Sequence, residues 1–291
     1  MRKTLFPSLA LIALALALSH APAAVGQEAD PAPARPATPA TPARPEAEAS
    51  EAPAPAPAPD PKAEAVLRRA VEALGGQAYL SVRTVVSRGN YTPFEDGMAG
   101  LPIKFVDYLV FPDRERTEFS GTGVKSVQTN VGEGGWVLDQ KARKLTDVTA
   151  EGAKEFRLAM RTSLDSALRG WWRQEGAALE YAGRREAAVG RRNEVVRVTY
   201  PDGFAVEYEF SAHDGMPAKA RYKKETREGD SIEEEDRYAQ FLNVGSIRAP
   251  FVVDHFRAGV QSSRVNFEEI RFNAPVPDSL FARPAEGKAA K

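Results

Sequence analysis

The stretch Phe204-Ala205-Val206-Glu207-Tyr208-Glu209-Phe210 decides the fold. Phe204, Val206, Tyr208 and Phe210 stand at every second position, with Glu207 and Glu209 between them. Side chains of a strand alternate between the two faces of a sheet, so this pattern makes one apolar face and one solvated face. Such a strand belongs to an antiparallel sheet packed on one side. The flanking sequence repeats the theme. Leu179–Val189, Asn193–Tyr200, Phe204–Ala212, Ala218–Arg227, Ile232–Leu242, Phe251–Ala258 and Arg264–Phe272 are segments of strand length. Pro201-Asp202-Gly203, His213-Asp214-Gly215 and Glu228-Gly229-Asp230 punctuate them as turns.

Further upstream, Val82–Tyr91, Ile103–Phe111, Arg114–Ser120 and Val124–Val131 read as strands, and Trp136–Asp139 with Lys144–Asp147 as a hairpin. Both faces of the Ile103 strand look apolar, with Asp107 the exception. Two helices interrupt the strands. Asp60-Pro61 is an N-cap followed by proline at the first helical position. Val66, Leu67, Ala70, Val71 and Leu74 then form one stripe, ended by Gly75-Gly76. A second window places Phe156, Met160, Leu164, Leu168 and Trp171 or Trp172 three to four apart, which predicts one long helix between Thr149 and Gly176. No internal repeat is present. About ten antiparallel strands and two helices predict an α+β fold, mostly antiparallel β. The sheet is expected to curl into a large curved sheet or half-barrel, with helices covering the concave face.

Before residue 61 the sequence changes character. Met1–Lys3 is basic, Leu5–Leu18 is apolar and Ala21-Pro22-Ala23 offers a cleavage site, the pattern of an export signal over 1–26. The apolar run of about 14 residues falls short of the ~20 that a helix needs to cross a bilayer. Residues 27–60 repeat proline and alanine, as in Ala52-Pro53-Ala54-Pro55, and have nothing large to bury. They are expected to be a disordered linker, reaching up to roughly 100 Å at ~3.1 Å per residue. A retained signal would make this linker a leash from the inner membrane. The folded domain is expected over 61–285 and a disordered tail over 286–291. The reading is a periplasmic monomer.

Composition removes several function classes. A formal net charge of -1 gives no basic field for nucleic acid. The absence of cysteine excludes disulfides, thiol catalysis, cysteine metal sites and an N-acylated lipoprotein anchor. His213 lies in a turn and His255 on a strand, and neither accompanies a G-x-S-x-G motif. Two histidines with scattered carboxylates do not make a metal site, which needs three or four convergent ligands. No cofactor is expected. Glu233-Glu234-Glu235-Asp236 reads as an exposed edge strand, since no calcium loop motif accompanies it. Arg184-Arg185 and Arg191-Arg192 are basic pairs for solubility, or for peripheral contact with anionic headgroups or a charged partner. Gly132-Glu133-Gly134-Gly135 opens no helix, so it is not a phosphate loop.

Several local patterns occur together in a familiar order. They are Ala73-Leu74-Gly75-Gly76 before Val82-Arg83-Thr84 and Gly89, then Pro112-Asp113-Arg114-Glu115-Arg116-Thr117-Glu118 and Gly134-Gly135-Trp136-Val137-Leu138-Asp139. Tyr238 and Phe241 ahead of Pro250-Phe251-Val252-Val253, and Asn273-Ala274-Pro275 before Asp278-Ser279-Leu280-Phe281, complete the set. Over about residues 62–284 the chain resembles the superfamily of exported proteins similar to the periplasmic outer-membrane lipoprotein carrier (LolA-like). The resemblance implies a half β-barrel plugged by helices, and a cavity that takes the acyl chains of lipoproteins or related lipids. The Pro-Ala linker is not part of that pattern, and a carrier's ligand residues cannot be matched one by one.

The expected function is therefore a non-enzymatic carrier of a lipid or acylated lipoprotein, as in outer-membrane lipoprotein sorting. The alternatives are a periplasmic regulatory module that binds an envelope protein, and a hydrolase built on a carboxylate pair. The residues expected to line the cavity are Phe105, Leu109, Met160, Leu164, Trp171, Trp172, Phe204, Tyr208, Phe210 and Phe267. Adjacent helix residues point about 100° apart, so one of Trp171 and Trp172 should face the core and the other the rim. Each buried methylene contributes ~0.8 kcal/mol, so an apolar cavity can hold a lipid without a catalytic motif.

Overall fold

The computed structural model describes residues 58–226 and 229–285. The expected signal (1–26), most of the linker (27–60) and the tail (286–291) lie outside the described residues. Helices α1 (Pro61–Leu74) and α2 (Gln77–Leu80) lead into β1 (Thr84–Glu95), β2 (Met98–Ala99), β3 (Ile103–Val110), β4 (Arg114–Gly121), β5 (Val124–Val131), β6 (Gly134–Asp139) and β7 (Lys144–Asp147). Helices α3 (Ala150–Thr162) and α4 (Leu164–Arg169) and a 3₁₀ turn (Trp171–Glu175) follow. Then come β8 (Ala178–Ala188), β9 (Arg191–Thr199), β10 (Ala205–Ser211), β11 (Pro217–Glu225), β12 (Ser231–Val244), β13 (Ile247–Arg257) and β14 (Val260–Phe272).

All strands join one antiparallel sheet of 14 strands, in the order β7-β6-β5-β4-β3-β1-β14-β13-β12-β11-β10-β9-β8, with β2 paired to β1. The first and last strands of the path, β7 and β8, do not pair, so the sheet is open: a curved sheet of the half-barrel kind with helices on one face. β1 meets β14 at the centre with a bulge at Gly89, where a Cβ would come 2.0 Å from the Asn266 carbonyl oxygen. Only glycine admits that approach.

The expected caps form. Asp60 accepts from the Lys62 amide at the start of α1, and Thr149 accepts from the Gly152 amide at the start of α3. The single long helix does not form. Ser163 is extended and its hydroxyl accepts from the Ser166 amide, starting α4 afresh. Gly170 takes the left-handed conformation (φ 71°), which glycine adopts without strain, and so ends α4. The apolar period continues through both breaks because each short piece still turns its apolar side to the sheet.

The main core joins Leu67, Ala70 and Leu74 of α1 and Leu164 and Leu168 of α4 to Tyr208 and Phe210 on the floor of the sheet. The acidic run is not an exposed edge. β12 lies between β11 and β13, and Glu235 and Asp236 are buried, on opposite faces of the strand. The opposite face of β5 and β6 carries a small second core of Val127, Trp136 and Leu138. The chain's C-terminal segment closes it: Trp136 donates to the Phe281 carbonyl at 3.1 Å and Arg116 to the Leu280 carbonyl at 3.0 Å.

Candidate functional site

Register defines what the helix-covered face presents. On β10, Val206, Tyr208 and Phe210 face the helices, and their partners place Ala220 and Tyr222 of β11 on the same face. The alternation continues through Tyr238, Val253 and Val265 to Tyr91 of β1 and Phe105 of β3. Phe105 meets Phe267 edge-on at 5.7 Å between ring centroids. This is an apolar floor, and most of it is filled by side chains.

The ten residues expected at a cavity divide accordingly. Phe105, Leu109, Leu164, Trp172, Tyr208 and Phe210 are buried. Met160, Trp171, Phe204 and Phe267 are half-buried. Trp172 is 1% exposed, donates its indole N–H to the Ala167 carbonyl at 3.3 Å and is capped by the Arg173 guanidinium. Trp171 instead sits at the rim, edge-on to Phe111 at 5.2 Å. The tryptophans diverge as adjacent helical residues must.

Met160 and Trp171 line one mouth. With Phe156 of α3 they close a cavity of about 270 Å³ against the β3–β4 turn (Pro112, Asp113) and the β5–β6 turn (Gly132, Glu133). On the other flank of α3 lies a wider cleft of about 1050 Å³, half polar, bordered by Phe204, Tyr222 and Lys223. Arg157 and Arg161 border both. Helix α3 is thus undercut on two sides. Its C-terminal end is fixed, since the Tyr208 hydroxyl donates to the Arg161 carbonyl at 2.9 Å. Helix α4 is fixed as well. Arg169 pairs with Asp165 at 2.7 Å and donates to the carbonyls of Tyr79, Leu80 and Val82.

Just inside the mouth the sheet face turns polar. Asp107 of β3 faces Thr117 of β4, which faces Gln128 of β5; in the next row Leu109, Glu115 and Asn130 stand side by side. Ser126 follows opposite Phe119. All of these polar residues are buried and share the face of Phe105. Thr117 donates to Asp107 at 2.8 Å. Burial pushes the Asp107 carboxyl up to about 7, against the Thr117 bond. Burial, reinforced by Asp107, holds Glu115 well above the ordinary carboxylate range. Sequence reading missed this block, except that Asp107 broke an apolar strand.

A second polar row crosses the same face on β12, β13 and β14: Asp236, His255 and Ser263. His255 Nδ1 and Asp236 Oδ1 are 2.5 Å apart. These are the residue types of a hydrolytic triad without its geometry, because no hydrogen bond joins His255 Nε2 to Ser263 and both residues are buried within a strand ladder. His213 is exposed in the turn after β10, far along the chain from any of these partners. Of the basic pairs, Arg184 binds Glu194, and Arg185 binds Glu207 and Glu209.

No family model matches the chain, and no curated protein does. Solved structures do. A LolA superfamily protein from Nitrosomonas europaea is similar over 76% of this chain and 97% of its own, at 14% identity and a TM-score of 0.51. A DUF1329 family protein from Desulfovibrio piger is similar over the same shares, at 12% identity and a TM-score of 0.53. The fold resembles that of the LolA-like superfamily.

Proposed function

We propose that the protein is an exported, non-enzymatic carrier that takes an acyl chain beneath helix α3. The observation that carries this reading is the apolar mouth at Phe156, Met160 and Trp171, set under a helix undercut on both flanks. Its volume, about 270 Å³, lies below the roughly 300–1,000 Å³ of ordinary ligand sites, so a long chain enters only if α3 lifts. The joint at Ser163 is the natural pivot. Ten buried methylenes would contribute ~8 kcal/mol toward the cost of such a local opening. The expected signal and linker support a periplasmic carrier, whose cargo would be a lipid or the acyl chain of a lipoprotein.

The test is uptake of a fluorescent fatty acid, read as emission gain on titration. Trp171→Ala is expected to weaken binding about tenfold, the equivalent of 1–2 kcal/mol of lost apolar contact, while leaving the melting temperature near its original value. Trp172→Ala is expected to cost about 3–5 kcal/mol of stability as a core truncation. A wild-type protein that takes up no acyl probe, and yields no lipid on organic extraction, sinks the reading.

A further inference from the structure

The buried polar block on β3, β4 and β5 is only partly paired: Thr117 bonds Asp107 and Asn130 bonds Glu115, and the rest is left over. Gln128 Nε2, Asn130 Oδ1 and the Ser126 hydroxyl are buried without a hydrogen-bond partner. Burying such groups unpaired costs about 1–3 kcal/mol each, and native proteins keep few of them. The Thr129 hydroxyl on the opposite face of β5 is unpaired as well, but these three alternate along one face and form a row that a single ligand could satisfy.

Its position says for what. Glu115 is two residues from Asp113, and Asn130 two from Gly132, both in the turns that line the apolar mouth. At ~3.3 Å per residue the block begins about 7 Å beyond those turns, on the face that α3 covers. The block itself does not line the cavity at the mouth, so a head group that enters there reaches it only through the same opening of α3 that the carrier reading requires.

The chemistry of the block selects the head. Gln128 offers a free donor, Asn130 a free acceptor and Ser126 either. Among the described residues, neither Asp107 nor Glu115 pairs with a lysine or arginine. Protonated, the two carboxyls are donors and acceptors in turn, and both are shifted toward that form by burial. A charged head of either sign would give up its hydration here without gaining a full counter-charge: no lysine or arginine among the described residues pairs with the block, and burial shifts its two carboxyls toward the neutral form. We infer that the β3–β5 block is a headgroup subsite for an acyl lipid with an uncharged, hydroxyl-bearing head, such as a monoacylglycerol. This rests on the carrier reading above.

The experiment separates the two. Three ligands with the same twelve-carbon chain, monolaurin, laurate and dodecylamine, compete at pH 7 against a bound fluorescent acyl probe. Monolaurin is expected to compete about tenfold better than either charged ligand, the worth of one to two hydrogen bonds. Gln128→Leu and Asn130→Leu should each weaken monolaurin about five- to tenfold and leave laurate and dodecylamine within about twofold. Ser126→Ala, a change of one atom, gives a milder loss in the same direction and guards against misfolding of the leucine variants.

Equal competition by all three, unaltered in the variants, overturns the headgroup subsite and leaves the carrier standing. So does dodecylamine as the tightest ligand with its advantage lost in Glu115→Gln, which would make the block a cation site. Laurate as the tightest ligand overturns it too. A probe that never binds the wild-type protein fails the carrier reading first.

Discussion

Asp107 illustrates how much one side chain depends on its face. On an apolar strand it looks like an interruption; in the fold it is 3% exposed, hydrogen-bonded to Thr117 and beside Glu115. Its carboxyl is pushed up to about 7 by burial. A group whose pKa rises on folding binds its proton more tightly in the native state. Its favourable contribution is complete below the unfolded value, near 4, and is lost as pH rises toward 7. Asp107→Asn keeps an acceptor for Thr117 and removes the titration. Relative to wild type, this variant should gain more than about 1 kcal/mol of urea stability between pH 4.5 and pH 7.5, since one pKa unit is ~1.4 kcal/mol. A constant offset at both pH values would show that Asp107 titrates normally. The neighbouring Ser126, Gln128 and Asn130 were not legible as a site. Their alternation says that two faces of β5 differ, and polar residues at every second position read as the solvated one. Both faces of β5 are in fact buried, the Ser126–Asn130 face on the helix side and the other by the Val127–Trp136–Leu138 cluster, to which the C-terminal segment is tied at Trp136, and no local pattern in β5 announces either cover.

Among the elements, the helix layer departs most from its sequence reading. The stripe from Phe156 to Trp171 looks continuous, yet Ser163 and Gly170 cut it into α3, α4 and a 3₁₀ turn. Both signals were present, a serine that can cap and a glycine that can end a helix, but periodicity outweighs single residues when a window is read as a whole. The pieces differ in anchorage. Helix α4 is bound by Arg169, whose side chain is 8% exposed and whose guanidinium lies over the rings of Tyr79 and Phe111. Arg169→Ala leaves Asp165 without its cation and three carbonyls without a donor. The expected loss is about 3–5 kcal/mol in chemical denaturation, as for other broken buried pairs. Replacing both partners, Arg169→Met with Asp165→Leu, should recover a large part of it. If the single and double variants are equally unstable, Arg169 acts through packing alone. Helix α3 is held mainly by charge pairs: the half-buried pair of Glu155 with Lys224, Arg161 with Glu175 and Asp202, and the exposed pair of Arg157 with Glu133. Exposed pairs are worth ~0–1 kcal/mol, so the carrier reading, in which α3 lifts, requires chiefly that the Glu155–Lys224 pair and the Arg161 contacts give way while α4 stays in place.

At the scale of the molecule, strand lengths, turns and the α1 cap were legible because each is a local signal. The sheet order followed from the same locality: consecutive strands joined by short turns pair with each other, from β3 to β7 and from β8 to β14. The central pairing of β1 with β14 spans the whole domain, and no local pattern specifies it. That pairing makes the two halves one floor, polar near the mouth and elsewhere apolar except for the Asp236, His255 and Ser263 row. A cargo lying across both halves would tie them together. Ligand that binds only the native state stabilises it by RT ln(1 + [L]/Kd), or ~2.7 kcal/mol at one hundred times Kd. In a domain of this size each kcal/mol moves the melting temperature by about 2–4 °C, so monolaurin at that excess should raise it by about 5–10 °C. Binding confined to the outer cleft beside α3 would give a similar rise, so the discriminating arm is Asn130→Leu. That variant alters only the interior face and should lose about half of the shift at the same monolaurin concentration, since a tenfold weaker Kd removes ~1.4 kcal/mol. An undiminished shift in Asn130→Leu would place the cargo outside the half-barrel.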